Sequence, residues 1–348
     1  MPRQSCDDAL GLLGKHRGLA LVGADGTGKT TLADQIAERL GEKNPVRVKA
    51  TATQAGVPFG AFGPLVEVHE VGKPAALIHS ALESLLAQAQ STLILVDDAQ
   101  LLDPLSASLV YQLARHGSAR LIVTVRAGAT LPSAVTALWE DGLLAKLDVG
   151  PLDEDETRSV LAELGESLDD EYRRTGGNPL ELRLHLQTQS AATSLEPLVD
   201  AYLAELSPAA RTVLGYLAVH QPLSRDDLIA LTSKEAVEQA EKNAGGAAAV
   251  FDSAVYAGHP LFAERVAHDA DPADTRRLRT EILAQLTTQP HRHLGDRLGR
   301  AVLALDSDSP PESVDDVVAA AQQALRLGDL TLSERLAGAA LQRSERFD

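Results

Sequence analysis

The chain has 348 residues, of which 44% are hydrophobic and only 3% aromatic, and its formal net charge is −17. This length predicts about two to four domains. The acidity argues against a broad electrostatic grip on DNA or RNA by this chain. The single cysteine, Cys6, excludes an internal disulfide and a multi-cysteine zinc site.

The N-terminal residues include Asp7 and Asp8 and lack a long apolar segment, so we expect no signal peptide. The apolar run at residues 92–96 is too short to span a bilayer, and we expect no membrane partner. The sequence therefore predicts a cytoplasmic location.

The first 150 residues alternate short apolar segments with helical stretches. This alternation predicts an α/β domain over residues 1–150 with a parallel sheet between helices. The predicted strands are residues 19–22, 46–50, 92–97 and 120–125.

Between the first strand and a helix lies GADGTGKT, Gly23 to Thr30, which fits G-x-x-x-x-G-K-[ST] at every fixed position. Backbone N–H groups of such a loop hold a β-phosphate, Lys29 reaches the β- and γ-phosphates, and the Thr30 hydroxyl ligates Mg²⁺. The pattern predicts binding of ATP or ADP with Mg²⁺. We assign nucleotide contacts to Gly23, Gly26, Thr27, Gly28, Lys29, Thr30 and Thr31.

The third predicted strand ends in two acidic residues, Asp97 and Asp98. Ligands of parallel sheets bind beyond the carboxyl ends of the strands, so Asp97 is predicted to hold Mg²⁺ and Asp98 to orient or activate the attacking water. Two adjacent carboxylates repel each other and require a nearby cation. The alternative is a pair of solvated loop aspartates.

The fourth predicted strand ends in Arg126. A cation at this edge of the sheet is predicted to contact the γ-phosphate and to report whether it is there, and we assign Arg126 with Asp97 and Asp98 to the catalytic residues. The alternative is an exposed surface arginine.

The remaining chain is mainly helical. Residues 151–195 predict a helical segment, which the family resemblance given below identifies as a lid. It is broken by the turn TGGNPL at residues 175–180, which by itself is typical of an ordinary helix-to-helix turn. Residues 196–270 predict three helices and a hairpin, as in a winged helix. Residues 271–348 predict an α-helical, TPR-like region, interrupted by a linker at residues 306–312.

The last predicted element is a helical hairpin joined at Gly328-Asp329. One such repeat cannot bury its own apolar face, so the pattern favours the front part of a longer protein. The histidines, including the His291-x-His293 pair, show no spacing typical of a metal site.

The motifs and their order resemble the signal-transduction ATPases with numerous domains (STAND), and within them the large ATP-binding LuxR-type (maltose-regulator-like) transcriptional regulators. The resemblance covers roughly residues 15–345. The segments that carry it are LVGADGTGKTTLADQIA, VPFGAFGPLVEV, LILVDDAQLLDPLSASLVYQLA, GPLDEDETRSVLAEL, TGGNPLEL and FDSAVYAGHPLFAERV.

The resemblance implies a P-loop NTPase fold in which Pro179 contacts the adenine and His259 the β-phosphate of ADP in a closed resting state. It also implies a small-molecule or protein inducer, self-association in the ATP state, and DNA binding through a C-terminal domain that this sequence lacks. For His259 the alternative is a loop histidine before Pro260. The family's N-terminal Gly-Arg-Glu segment is missing here, where the chain reads QSCDDALGLLGKHRG.

Two other functions remain open from the residues. One is an AAA+, origin-recognition-like ATPase that acts directly on nucleic acid, and the other is a small-molecule kinase. The helix predicted at residues 233–243 carries Glu235, Glu238 and Glu241 against Lys234 and Lys242. A helix in the major groove usually presents Arg or Lys to the phosphates, so we interpret this one as a packing module. The leading hypothesis is a nucleotide-operated switch of a transcriptional regulator, in which ADP holds a closed monomer, ATP with an inducer opens it to self-associate, and slow hydrolysis resets it. ATP turnover with and without DNA separates this switch from an origin-recognition-like loader.

Overall fold

The computed structural model describes residues 4–66, 73–88, 93–164, 171–190, 192–241, 246–251, 254–290, 295–307 and 314–344. The predicted His291-x-His293 pair, residue 92, most of the 306–312 linker and the end of the 233–243 helix lie outside these residues. The chain divides into two compact units. The first comprises Met1–Ala50, Ala89–Leu102 and Ala107–Glu205, and the second comprises Thr51–Gln88, Asp103–Ser106 and Leu206–Asp348.

Strands and helices alternate through the first part of the chain. In order they are α1 (Gln4–Leu13), β1 (Gly18–Gly23), α2 (Lys29–Arg39), β2 (Val46–Lys49), α3 (Pro74–Gln88), β3 (Leu93–Asp97), α4 (Pro104–His116), β4 (Arg120–Arg126), α5 (Ser133–Glu140) and β5 (Ala145–Asp148). Four helices follow: α6 (Glu154–Leu164), α7 (Glu171–Thr175), α8 (Pro179–Thr188) and α9 (Leu195–Glu205).

The described residues of the rest of the chain are mainly helical, with three short strands. Its elements are α10 (Pro208–Val219), β6 (Leu223–Ser224), α11 (Arg225–Leu231), α12 (Lys234–Glu241), β7 (Ala248–Phe251), β8 (Ala254–Ala257), α13 (Pro260–Asp269), α14 (Pro272–Thr287), α15 (Asp296–Leu305), α16 (Val314–Arg326) and α17 (Leu330–Ser344).

The first unit contains a five-stranded sheet of order β2-β3-β4-β1-β5, in which every pair of neighbours is parallel. This confirms the α/β P-loop NTPase fold predicted from the sequence. All residues of β3 are buried, because its apolar run is covered on both faces of the sheet. The sequence analysis missed β5, which has only four residues and whose Lys146 and Asp148 are exposed.

The core of this unit forms where α1 and α2 pack on the sheet. In α2 the buried residues are spaced three and four apart, at Leu32, Ala33, Ile36 and Ala37, so they form one apolar stripe. Cys6 of α1 is fully buried in the same cluster. The helix that follows the phosphate loop is thereby packed against the sheet.

In the second unit, β6, β8 and β7 form a small antiparallel sheet that follows α10 and flanks α11 and α12. Residues 196–270, for which the sequence predicts a winged helix, contain most of α9, the helices α10 to α13 and the strands β6 to β8. The helix α9 belongs to the first unit, and the winged-helix assignment stays a prediction. The helices α16 and α17 pair with each other, and Gly328 adopts a positive φ of 80° between them. Within the described residues, no helix is long and apolar enough to cross a membrane.

Asp227 of α11 links this helix to α14. It is buried, its Oδ1 accepts hydrogen bonds from Gln285 Nε2 at 3.0 Å and Gln289 Nε2 at 2.5 Å, and its Oδ2 accepts one from Ser224 Oγ at 2.5 Å. Removing a buried acceptor leaves its donors unsatisfied, at a cost of about 1–3 kcal/mol.

We therefore expect Asp227→Ala to lower the free energy of unfolding of the chain by about 1–3 kcal/mol, measured by urea denaturation. The matched control is Asp226→Ala, because Asp226 lies exposed beside it in the same turn. Equal effects of the two substitutions would contradict the assigned role of Asp227.

Candidate functional site

The loop between β1 and α2 depends on glycines at two left-handed positions. Gly26 has φ 74°, and Gly28, the residue before α2, has φ 81°. A Cβ atom on Gly26 would lie 2.5 Å from Leu180 Cβ and 2.6 Å from Asn178 Oδ1. Gly26 is thus required both by its backbone conformation and by the close approach of α8.

Lys29 lies buried in the first turn of α2. Its Nζ donates hydrogen bonds to the carbonyl oxygens of Gly23 at 3.1 Å and Ala24 at 2.8 Å. Burial lowers the pKa of Lys29, while the negative charges of Asp98, Asp25 and Asp97 act in the opposite direction. The ammonium group therefore lies beneath the loop and faces the carboxylates of the sheet edge.

Two threonines have different places in the loop region. Thr27 is buried and its Oγ1 donates to Ala24 O at 3.0 Å, so it stabilises the loop conformation. Thr31 is exposed in the first turn of α2. A nucleotide contact of either residue stays a prediction.

Asp97 is 8% exposed and lies at the end of β3. Its Oδ1 accepts hydrogen bonds from Thr30 Oγ1 at 2.8 Å and from Thr124 Oγ1 at 2.6 Å. The two residues predicted to ligate Mg²⁺, Thr30 and Asp97, are therefore in direct contact. Hydroxyl and carboxylate oxygens are hard donors that suit Mg²⁺, which usually keeps several of its waters.

Asp98 follows β3 with a left-handed φ of 57°, and its backbone N–H donates to Thr124 Oγ1 at 2.9 Å. Burial, and then the charge of Asp97, raises the pKa of Asp98 to about 6, although Gln100, Lys49 and Lys29 act to lower it. Asp97 is buried, and Asp98 is held by hydrogen bonds to Thr124 and Gln100. The alternative of a pair of solvated loop aspartates therefore does not describe this site.

Gln100, which the sequence analysis did not single out, joins Asp98 to Arg126. Its Nε2 donates to Asp98 Oδ1 at 2.9 Å, and its Oε1 accepts from the backbone N–H of Arg126 at 3.0 Å. An amide placed between an acceptor and a donor has one orientation only. No periodicity or motif distinguishes this residue from an ordinary loop glutamine.

Arg126 ends β4 and lies opposite Gly23 in the register of β4 with β1. Its Nε is 2.7 Å from Asp25 Oδ1, and the two side chains are 25% and 28% exposed. The alternative of an exposed surface arginine is therefore not observed. Its charge pairs with a carboxylate of the phosphate loop, and a contact with a γ-phosphate stays a prediction.

The turn before α8, residues 176–179 with the sequence GGNP, contacts the phosphate loop directly. Asn178 Nδ2 donates to Asp25 O at 2.9 Å, and the backbone N–H of Leu180 donates to Gly26 O at 3.2 Å. Asn178 also caps α8, because its Oδ1 accepts from Leu180 N at 3.0 Å and Glu181 N at 3.3 Å. Pro179, predicted to contact the adenine, follows at the first position of α8 and is half-buried.

The second unit contains His259, the cap of α13. Its Nδ1 accepts a hydrogen bond from Leu261 N at 3.3 Å, so the neutral ring carries its hydrogen on Nε2. This contact gives the histidine a structural task, and its predicted contact with a β-phosphate stays a prediction.

Comparison with known proteins supports the fold and the phosphate loop. Residues 14–130 match the family model of an AAA domain, whereas no curated protein sequence matches the chain. The structure is similar to a signal transduction ATPase with numerous domains and a tetratricopeptide repeat sensor, from Pyrococcus horikoshii. The TM-score is 0.65 at 14% identity, over 96% of this chain and 57% of that one.

Two further structures are more distant. They are a Walker-type ATPase of Pyrococcus abyssi (TM-score 0.36, 12% identity, 76% of this chain and 95% of that one) and a RuvB variant of Thermotoga maritima (0.35, 13%, 76% and 94%). The likeness to the Pyrococcus horikoshii protein concerns the fold alone, and this chain spans 57% of its length. The chain thus contains a P-loop ATPase domain of the AAA type, in a fold similar to that of a STAND ATPase.

Proposed function

We propose that the chain is the ATP- and ADP-binding switch module of a signal-responsive transcriptional regulator. The observation that carries the proposal is the gathering of Lys29, the Thr30–Asp97 pair, Asp98 and Arg126 at one edge of one parallel sheet. Ligands bind at this edge in open α/β sheets, and this set of groups is the set that phosphoryl transfer requires.

In the proposed mechanism, backbone N–H groups of Gly26 to Gly28 cradle the β-phosphate and Lys29 turns from the loop carbonyls to the phosphates. Thr30 and Asp97 would hold Mg²⁺, which supplies charge neutralisation at the β- and γ-phosphates. Asp98 accepts a proton from the attacking water. Its carboxylate follows Asp97 at the end of β3, the edge where the phosphates are expected to bind.

Hydrolysis in this proposal is slow and resets the switch. ADP holds a closed monomer, and ATP with a small-molecule or protein inducer opens it to self-associate. In this proposal, DNA is contacted through a separate domain and not through the switch module. The net charge of −17 and the fold shared with a STAND ATPase support the switch over a loader that works on nucleic acid by itself.

Lys29→Ala tests whether the loop binds nucleotide. The substitution removes a charge-assisted contact to the phosphates, so tight binding of both ATP and ADP should be lost, as measured by isothermal titration calorimetry. The control is Lys43→Ala, an exposed lysine of the same unit. Wild-type affinity in Lys29→Ala would remove the phosphate-loop assignment.

Asp98→Asn tests hydrolysis separately from binding. Asparagine keeps the shape of the side chain but cannot accept the proton of water, so single-turnover hydrolysis should fall by about 10²-fold or more while ATP still binds. The ATP state should then accumulate and self-associate, which light scattering detects. Unchanged hydrolysis would exclude Asp98 as the base, and lost hydrolysis without assembly would count against the switch.

Asn178→Ser tests the contact between the lid turn and the loop. Serine still caps α8 but is too short to reach Asp25 O, so thermal stability should change little while ADP dissociates faster, by about fivefold for one lost hydrogen bond. Stopped-flow release of a fluorescent ADP measures the rate.

The matched control for this experiment is Asp153→Ala. Asp153 caps α6 through Glu156 N at 2.8 Å, so its loss should lower the stability of the lid by about 1 kcal/mol without changing nucleotide release. If both variants release ADP at the wild-type rate, the lid contact has no role in holding the nucleotide.

A further inference from the structure

Asp25 occupies a loop position that the phosphate-binding pattern leaves open, and it places a carboxylate among the cations of the site. Its Oδ1 lies 2.7 Å from Arg126 Nε. Its negative charge also acts on Lys29, where it opposes the effect of burial on the pKa of the ammonium group. Asp25 thus places a negative charge where the phosphates of a nucleotide are expected to bind.

The backbone of each residue of this ion pair is held by a hydrogen bond with a side chain of another element. The N–H of Arg126 is bonded to Gln100 Oε1 at 3.0 Å, and the carbonyl of Asp25 accepts from Asn178 Nδ2 at 2.9 Å. Both side chains are about three-quarters buried, at 25% and 28% exposure. A pair held in this way loses less conformational entropy than one between two free surface chains, so its charges interact more effectively.

The effect of the pair differs between the two nucleotides. The β-phosphate, present in both ADP and ATP, is cradled by backbone N–H groups that do not involve Arg126. The γ-phosphate, present only in ATP, is the group that Arg126 at the end of β4 is predicted to contact. A carboxylate that already holds this cation therefore opposes ATP binding more than ADP binding.

We propose that Asp25 is a specificity-determining residue that favours ADP over ATP by holding Arg126 in the place of the γ-phosphate. The proposal rests on the nucleotide switch proposed above and names a residue that sets its resting state. ATP binds fully only when its γ-phosphate displaces the Asp25 carboxylate from Arg126.

Asp25→Asn tests this proposal, because asparagine has nearly the same shape and no charge. Calorimetry with Mg²⁺ should show that the non-hydrolysable analogue AMP-PNP binds about fivefold more tightly than to wild type, the affinity equivalent of one partly exposed ion pair. ADP affinity should change by less than about twofold. The control is Asp34→Asn, which removes the same charge from another Asp–Arg pair of this unit, that of Asp34 with Arg47, and should change neither affinity selectively.

A double-substitution cycle tests whether Asp25 acts through Arg126. In an Arg126→Ala background, Asp25→Asn should no longer change the ratio of the two affinities, because the cation it competes for is gone. A ratio change that persists there would assign the effect to another group. If Asp25→Asn melts at a lower temperature by circular dichroism, Asp25→Ser, which also lacks the charge, repeats the measurement.

Three results would overturn the proposal. They are equal changes for AMP-PNP and ADP, a weaker rather than tighter binding of AMP-PNP, and an equal response of Asp34→Asn. Its failure is distinct from failure of the proposed function. If Lys29→Ala abolishes binding while Asp25→Asn leaves the affinity ratio unchanged, the nucleotide site stands and only the role of Asp25 falls.

Discussion

The position of β4 between β1 and β3 is the constraint on which the site depends. Because all three strands are parallel, the phosphate loop, the acidic end of β3 and the end of β4 meet at one edge of the sheet. The last residues of β4 then serve both neighbours. Thr124 contacts Asp97 and the backbone of Asp98 on one side, and Arg126 reaches Asp25 on the other.

Charged groups of both signs act on one another at this edge of the sheet. Three carboxylates, from Asp25, Asp97 and Asp98, act on Lys29, while Lys49 and Lys29 act on Asp98. The pKa of Asp98, raised to about 6, shows that the cations do not fully offset burial and the charge of Asp97. We therefore expect a bound nucleotide to replace some of the contacts among these charged groups with contacts to its phosphates. A ligand shifts a conformational equilibrium only by its differential affinity for the two states, and such exchanges are where ADP and ATP can differ.

The sequence was sufficient for four strands of the sheet and for the phosphate loop. The strands β1, β3 and β4 contain apolar runs, β2 alternates valine with a basic residue, and the loop has a fixed spacing that only its backbone geometry explains. It was insufficient for β5, whose four residues include two exposed polar ones. It also did not identify Asn178 or Gln100. Each acts through a hydrogen bond to a residue distant in the chain, Asp25 for one and Arg126 for the other, and no local pattern encodes such a partner.

Two independent contacts converge on Asp25, one through its backbone and one through its side chain. The turn before α8 holds the carbonyl through Asn178, and the end of β4 holds the carboxylate through Arg126. Each contact is worth about 1 kcal/mol, so one alone changes an equilibrium by about fivefold, and both together by about 25-fold if they are independent. In the proposed exchange, a γ-phosphate that displaces the Asp25 carboxylate from Arg126 removes one of the two restraints on the loop, and the contact with Asn178 remains to hold it. The proposal therefore lets the loop report the presence of a γ-phosphate without releasing the nucleotide.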